Sequence, residues 1–161
     1  MRTAALHNLG CKVNSYETEA MQQLLEAAGY QIVPFHEKAD VYLINTCSVT
    51  NMADRKSRQM LHRARKQNPD AVVVAAGCYV QSASEELKKD LAVDVIIGNN
   101  KKQDLVEILE EYFQEKHQVH VIDIGNTQEY EKLKISRIAD HTRAFLKVQD
   151  GCNQFCSYCI I

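Results

Sequence analysis

Five short apolar runs, separated by stretches of helical periodicity, constrain this chain more than any other feature. They are Thr3–Asn8 (TAALHN), Gln31–Phe35 (QIVPF), Val41–Asn45 (VYLIN), Val72–Ala76 (VVVAA) and Val93–Ile97 (VDVII). Several are continuously apolar instead of alternating, as strands buried on both faces are. Between them, Asn14–Ala28 carries Tyr16, Ala20, Leu24 and Ala27 on one stripe and ends at Gly29, a suitable residue for closing a helix. A second helix is expected over Asn51–Lys66, with Ala53, Met60, Leu61 and Ala64 inward and its basic residues largely outward. Ser82–Ala83–Ser84–Glu85 has the form of a capping box opening a third. Lys101–Gln114 forms the fourth, with Leu105, Ile108, Leu109 and Tyr112 facing in. This alternation predicts an α/β fold, a five-stranded doubly wound parallel sheet of flavodoxin-like order 2-1-3-4-5.

The sheet domain is expected to occupy residues 1–124, closing with a short extended piece at Val119–Ile124. A polar linker follows at 125–142, and residues 143–161 begin a second unit whose first strand, Arg143–Gln149, feeds a cysteine motif. Neither an internal repeat nor a low-complexity tract is present. A chain of 161 residues suits one cored domain with a little extra. No run is long enough to cross a bilayer, and "MRTAALHNLG" lacks the apolar core of a signal peptide, so a cytoplasmic location and no membrane partner are expected. In a reducing compartment, six cysteines point to metal binding, catalysis or burial instead of disulfides.

Cys11, Cys47 and Cys78 each follow an apolar run by one to three residues, in "HNLGCKVN", "LINTCSVT" and "VAAGCYVQ". In the expected order, strands 1, 3 and 4 are neighbours about 4.8 Å apart, so the three cysteines fall within about 10 Å at the carboxyl edge, where open α/β sheets bind ligands. Two of them follow glycine, which lets backbone approach a bulky ligand. Singly, each also reads as a buried structural cysteine. Together, as thiolates without adjacent histidine or carboxylate, they suggest an iron–sulfur cluster with one iron open, in preference to catalytic zinc.

The terminal motif Cys152–x3–Cys156–x2–Cys159 offers three ligands where structural zinc takes four. It resembles the cluster motif of the radical S-adenosylmethionine (SAM) superfamily. With "GCKVN" around Cys11, "INTCSVT" followed by "KSR", and "GCYVQ" around Cys78, the whole chain resembles the methylthiotransferase family of that superfamily. The resemblance implies two 4Fe–4S clusters: an auxiliary one on Cys11, Cys47 and Cys78, and a SAM-binding one on Cys152, Cys156 and Cys159, with Tyr158 near the SAM adenine. It implies a transferase that converts the C–H at position 2 of adenosine 37, in the tRNA anticodon loop, to C–SCH3. SAM and an electron donor such as flavodoxin or ferredoxin are the implied partners, and both clusters are expected to face one cavity.

Lys12 and Val13 in "GCKVN" point to N6-threonylcarbamoyladenosine as the substrate nucleoside; isopentenyladenosine or a ribosomal protein are the alternatives within the family. A non-catalytic redox or binding module is the alternative outside it. The family continues into the rest of a radical-SAM barrel and a small RNA-binding β-barrel, so this stretch alone is expected not to turn over. Asn14, Asn45 and Ser48 flank the first cysteines and could hydrogen-bond sulfur, although Asn14 could equally cap a helix. Arg55, Lys56, Arg58, Arg63, Arg65 and Lys66 crowd one helix, as a solvated face or as a contact for RNA phosphates. The HxxH pair His117 and His120 is expected to be exposed and not ligating.

Overall fold

The computed structural model describes residues 1–48, 50–99, 101–115, 118–120, 133, 135, 147–149 and 152–158. Its core is an all-parallel sheet of β1 (Thr3–Asn8), β2 (Gln31–Ile32), β3 (Val41–Thr46), β4 (Val72–Gly77), β5 (Val95–Ile97) and β6 (Gln118–His120), in the order β2-β1-β3-β4-β5-β6. The first five strands hold the expected order. The sixth pairs with β5 in the register Val95↔Gln118 to Ile97↔His120, so the extended piece after the last helix joins the sheet instead of leaving it. Its expected continuation over 121–124 lies outside the described residues, as does the linker apart from Leu133 and Ile135, and so do residues 143–146 of the expected later strand. Residues 147–149, the described part of that strand, form no strand. β2 stops after two residues because Pro34 brings no N–H to the ladder, though the Val33 N–H still donates to the Ala4 carbonyl at 2.9 Å.

Every residue of β3 and β4 is buried, as their unbroken apolar runs require. On one face, Val41, Leu43, Val72 and Val74 pack with Met21 and Leu25 of α1 (Lys12–Ala27) and with Leu105, Ile108 and Leu109 of α5 (Leu105–Glu115). On the other, Tyr42, Ile44, Val73 and Ala75 pack with Leu61 and Ala64 of α2 (Asn51–Gln67) and with Tyr79, Val80 and Leu87 from the short helices α3 (Cys78–Ser82) and α4 (Ser84–Leu87). Gly29 ends α1 as expected: it sits at φ 85°, its N–H donates to the Glu26 carbonyl, and that of Tyr30 reaches back to Leu25 at 3.0 Å.

Two expectations about the helices are corrected as well. The buried face of α1 is Asn14, Glu17, Ala20, Met21 and Leu25, not the stripe of Tyr16, Leu24 and Ala27, which are half-buried or exposed. Two polar side chains sit on the inward stripe because each finds buried partners, which an apolar-versus-polar pattern does not register. Ser82 does not open a capping box either. β4 turns into helix directly at Cys78, so Ser82 is already the last residue of α3, its hydroxyl donating to the Tyr79 carbonyl at 3.2 Å. α4 starts after Ala83, which supplies no side-chain cap. α2, by contrast, is capped by the Thr50 hydroxyl accepting from the Ala53 N–H at 3.1 Å, with Asp54 in its first turn and Arg65 and Lys66 in its last.

Candidate metal centre at the carboxyl edge of the sheet

The strand registers Asn8↔Asn45 and Thr46↔Gly77 bring the carboxyl ends of β1, β3 and β4 side by side. Cys11, Cys47 and Cys78 lie just beyond those ends. Cys11 is the exposed N-cap residue of α1, Cys47 is buried one residue after β3, and half-buried Cys78 is the first residue of α3. The Cys78 thiol is pushed up by burial; Lys102 opposes this, and Cys47, Glu17 and Cys11 add to it. All three cysteines therefore share one electrostatic neighbourhood, with Glu17 and Lys102 inside it. A metal at such a site overrides the raised value by deprotonating its thiols outright.

Glycines let neighbouring strand ends pack closely here. A Cβ on Gly10 would stand 3.1 Å from the Cys47 Cβ and 3.3 Å from its Sγ, and Gly10 holds φ 150°. A Cβ on Gly77, at φ 94°, would stand 2.4 Å from both the Asn45 Oδ1 and the Thr46 carbonyl oxygen. The sequence suggested close backbone approach to a ligand; the atoms that approach these two glycines are the protein's own, Cys47 and Asn14 at Gly10 and Asn45 and Thr46 at Gly77.

Asn14 and Asn45 form the buried floor. The Asn14 amide donates to the Thr46 carbonyl at 2.9 Å, and its Oδ1 accepts from the Cys11 thiol at 3.3 Å. Asn45 donates to the Asn14 carbonyl at 3.0 Å and to the Thr18 hydroxyl at 3.1 Å. Asn14 thus contacts sulfur and ties α1 to β3; the cap position belongs to Cys11. Ser48 is half-buried on the loop after β3. Ser57, quoted in "KSR" but given no role by the sequence, is fully buried; its hydroxyl accepts from the Cys47 N–H at 3.3 Å and donates to the Cys47 carbonyl at 3.2 Å. Both polar groups of the Cys47 peptide are anchored to α2 in this way.

Glu17 and Lys102 are the other functional-looking pair that sequence reasoning missed. The Lys102 ammonium, 1% exposed, stands 2.6 Å from Glu17 Oε2 and 3.0 Å from Asn99 Oδ1. Glu17 Oε1 takes a second ammonium, that of Lys147, at 3.0 Å. Burial alone would raise the Glu17 carboxyl, but Lys102 and Lys147 together hold it below the ordinary carboxylate value. Nothing local in the sequence announces pairs separated by 85 and 130 residues.

Among the described residues, no three His, Cys, Asp or Glu side chains converge on one point that could hold a single metal ion. Past three adjacent strand ends Cys11, Cys47 and Cys78 offer three thiols, and in a multi-iron cluster each thiolate would meet its own iron, so the ligands would not need to converge. In the terminal motif, Cys152 and Cys156 are exposed and Tyr158 is 91% exposed. Cys159 and His117 lie outside the described residues, and His120 belongs to β6.

Arg55, Lys56, Arg58, Arg63 and Lys66 are exposed along α2. Arg65 differs: its guanidinium donates to the carbonyls of Pro69 at 2.7 Å, Ala71 at 2.8 Å and Ala92 at 3.4 Å, and is paired with Asp94. No helix among the described residues is long and apolar enough to cross a membrane.

Residues 3–98 match the family described as "Uncharacterized protein family UPF0004". The chain is 46% identical, over its full length, to 36% of the threonylcarbamoyladenosine tRNA methylthiotransferase MtaB of Bacillus subtilis (strain 168). It is 30% identical, again over its full length, to 38% of the tRNA-2-methylthio-N(6)-dimethylallyladenosine synthase of Ehrlichia canis (strain Jake). The chain therefore spans little more than a third of the length of these curated relatives. Its fold is similar to the isolated REC domain of RcsB from Salmonella enterica serovar Typhimurium, with a TM-score of 0.52 at 11% identity over 74% of this chain and 92% of that one.

Proposed function

The chain belongs to the uncharacterized protein family UPF0004, and from that premise we propose that it is the amino-terminal part of a radical-SAM tRNA methylthiotransferase. The reaction proposed is conversion of N6-threonylcarbamoyladenosine at tRNA position 37 to its 2-methylthio derivative. The observation that carries the reading is the placement of Cys11, Cys47 and Cys78 at three adjacent strand ends, with Gly10 packed against the Cys47 side chain and Gly77 against Asn45 and Thr46.

Cys11, Cys47 and Cys78 would hold one 4Fe–4S cluster, and Cys152, Cys156 and Cys159 a second that also binds SAM, with Tyr158 beside the adenine. When bound, such clusters supply the radical and sulfur chemistry that an unactivated aromatic C–H demands. The protein's own contribution is to place and shield them. The Asn14 side chain meets the Cys11 sulfur through its Oδ1, which accepts from the thiol, and Ser57 fixes the Cys47 peptide. The exposed basic face of α2, without Arg65, is the surface proposed for tRNA phosphates. A reducing cytoplasm and a flavodoxin- or ferredoxin-type donor complete the setting.

Lys12–Val13 and the 46% against 30% identity favour threonylcarbamoyladenosine over the dimethylallyl nucleoside. The test is anaerobic reconstitution of the full-length protein, with iron counting and mass analysis of tRNA nucleosides. About eight irons per chain, two four-iron clusters, are expected, falling to about four in a Cys11→Ala/Cys47→Ala/Cys78→Ala variant. The product expected is 2-methylthio-N6-threonylcarbamoyladenosine. About four irons in the unmodified protein would overturn the two-cluster reading, and a methylthio-dimethylallyl product would reassign the substrate.

A further inference from the structure

Glu17 has two buried cations for its one charge. Lys102 would neutralise it alone, and the Lys102 ammonium is further satisfied by Asn99. A second buried ammonium, Lys147 at 3% side-chain exposure, is therefore not needed to neutralise Glu17, and pairing with the second Glu17 oxygen helps to offset the cost of desolvating it. Lys147 stands five residues before Cys152, so at about 3.3–3.6 Å per residue the chain can carry Cys152 no more than about 18 Å from the Lys147 backbone.

The residue beside Glu17 holds the same stretch of chain at a second point. The Tyr16 hydroxyl donates to the carbonyl of buried Leu133 at 3.0 Å. Tyr16 and Glu17 both lie in the first turns of α1, the helix that begins immediately after Cys11. The helix that starts at one cysteine group thus grips the segment leading to the other. Lys102 carries the same ion cluster to the carboxyl edge of the sheet, where its ammonium donates to Asn99, two residues past the end of β5.

We propose that Glu17 is a positioning residue: its pairing with Lys147, shared with Lys102, seats the segment carrying Cys152 and Cys156 on α1 and so sets the reach between the two cysteine groups. The seating stands on the ion pairs alone; its consequence for two clusters facing one cavity rests on the function proposed above.

The test is hydrogen–deuterium exchange on the full-length protein and on Lys147→Met, which leaves the Glu17–Lys102 pair intact. Exchange at the amides of 147–149 should rise tenfold or more, while the amides of β3 and β4 and the iron content stay unchanged. Lys147→Arg should restore protection, because a guanidinium can make the same contact and a mere loss of volume would not explain the rescue. A Glu17→Gln/Lys102→Met pair, which removes one charge of each sign and so leaves the net charge of the cluster unchanged, should release the segment in the same way if Lys147→Met fails to fold. Unchanged exchange at 147–149 in either variant would overturn the proposal. A protein that binds no iron would sink the functional reading yet leave the exchange result to judge the seating.

Discussion

At Gly77 the backbone passes from β4 into α3 with φ 94°, and the place a Cβ would occupy is already filled by the Asn45 side chain and the Thr46 backbone. A Gly77→Ala protein must bear both the left-handed backbone and a contact with atoms that cannot withdraw. Each is a cost of about 1–3 kcal/mol, so urea unfolding should show a loss of at least about 2 kcal/mol. At Gly29, also at positive φ, nothing stands within 4 Å of the added Cβ, so the same substitution there should cost only the backbone part. The glycine before Cys78 was read in the sequence as room for a ligand; what the structure sets against it is protein. Which atoms approach was not legible, because Asn45 and Gly77 meet only once β3 and β4 are in register.

The two faces of α2 separate two uses of arginine. Arg63 is exposed and is proposed to meet RNA, whereas Arg65 fastens the turn after α2 and the lead into β5 through three carbonyls and Asp94. A lysine keeps the charge but loses the fork that reaches four acceptors. Arg65→Lys should therefore lower stability by about 1.5–3 kcal/mol, the worth of charge-assisted hydrogen bonds, and leave the salt dependence of tRNA binding unchanged. Arg63→Ala should do the reverse, lowering the slope of log affinity against log salt by about one, with an unaltered denaturant midpoint. The clustering of basic residues was visible in the sequence. The commitment of Arg65 was not, since its acceptors Ala92 and Asp94 arrive from another strand's approach.

Across the whole molecule, the buried Glu17–Lys102–Lys147 cluster joins three distant parts of the chain and makes stability depend on acid. The Glu17 carboxyl is lower in the folded state than when unfolded. Its contribution is then fully present above the ordinary carboxylate range and is lost as pH falls through the depressed folded value. At pH 7, Glu17→Gln should destabilise by about 3–5 kcal/mol, because it strands buried ammonium groups. Denaturation of both proteins between pH 7 and pH 3 should show that gap close on the acid side; a gap that stayed constant would mean the carboxylate charge is not what the lysines need.

The amino-acid sequence by itself determined the parallel α/β fold, the order of its first five strands and the edge on which Cys11, Cys47 and Cys78 gather. Apolar runs, their spacing and the short cysteine motifs after them are local quantities, and 2-1-3-4-5 is the common order for a doubly wound sheet of five strands. Only the tertiary structure decided which face of α1 is buried, that Arg65 is structural, that Ser57 braces Cys47 and that Lys147 meets Glu17. In each case a polar side chain lies inside, and burial of a polar group is favourable only with its partner in place. Those partners come from elements distant in sequence, so no local pattern encodes them.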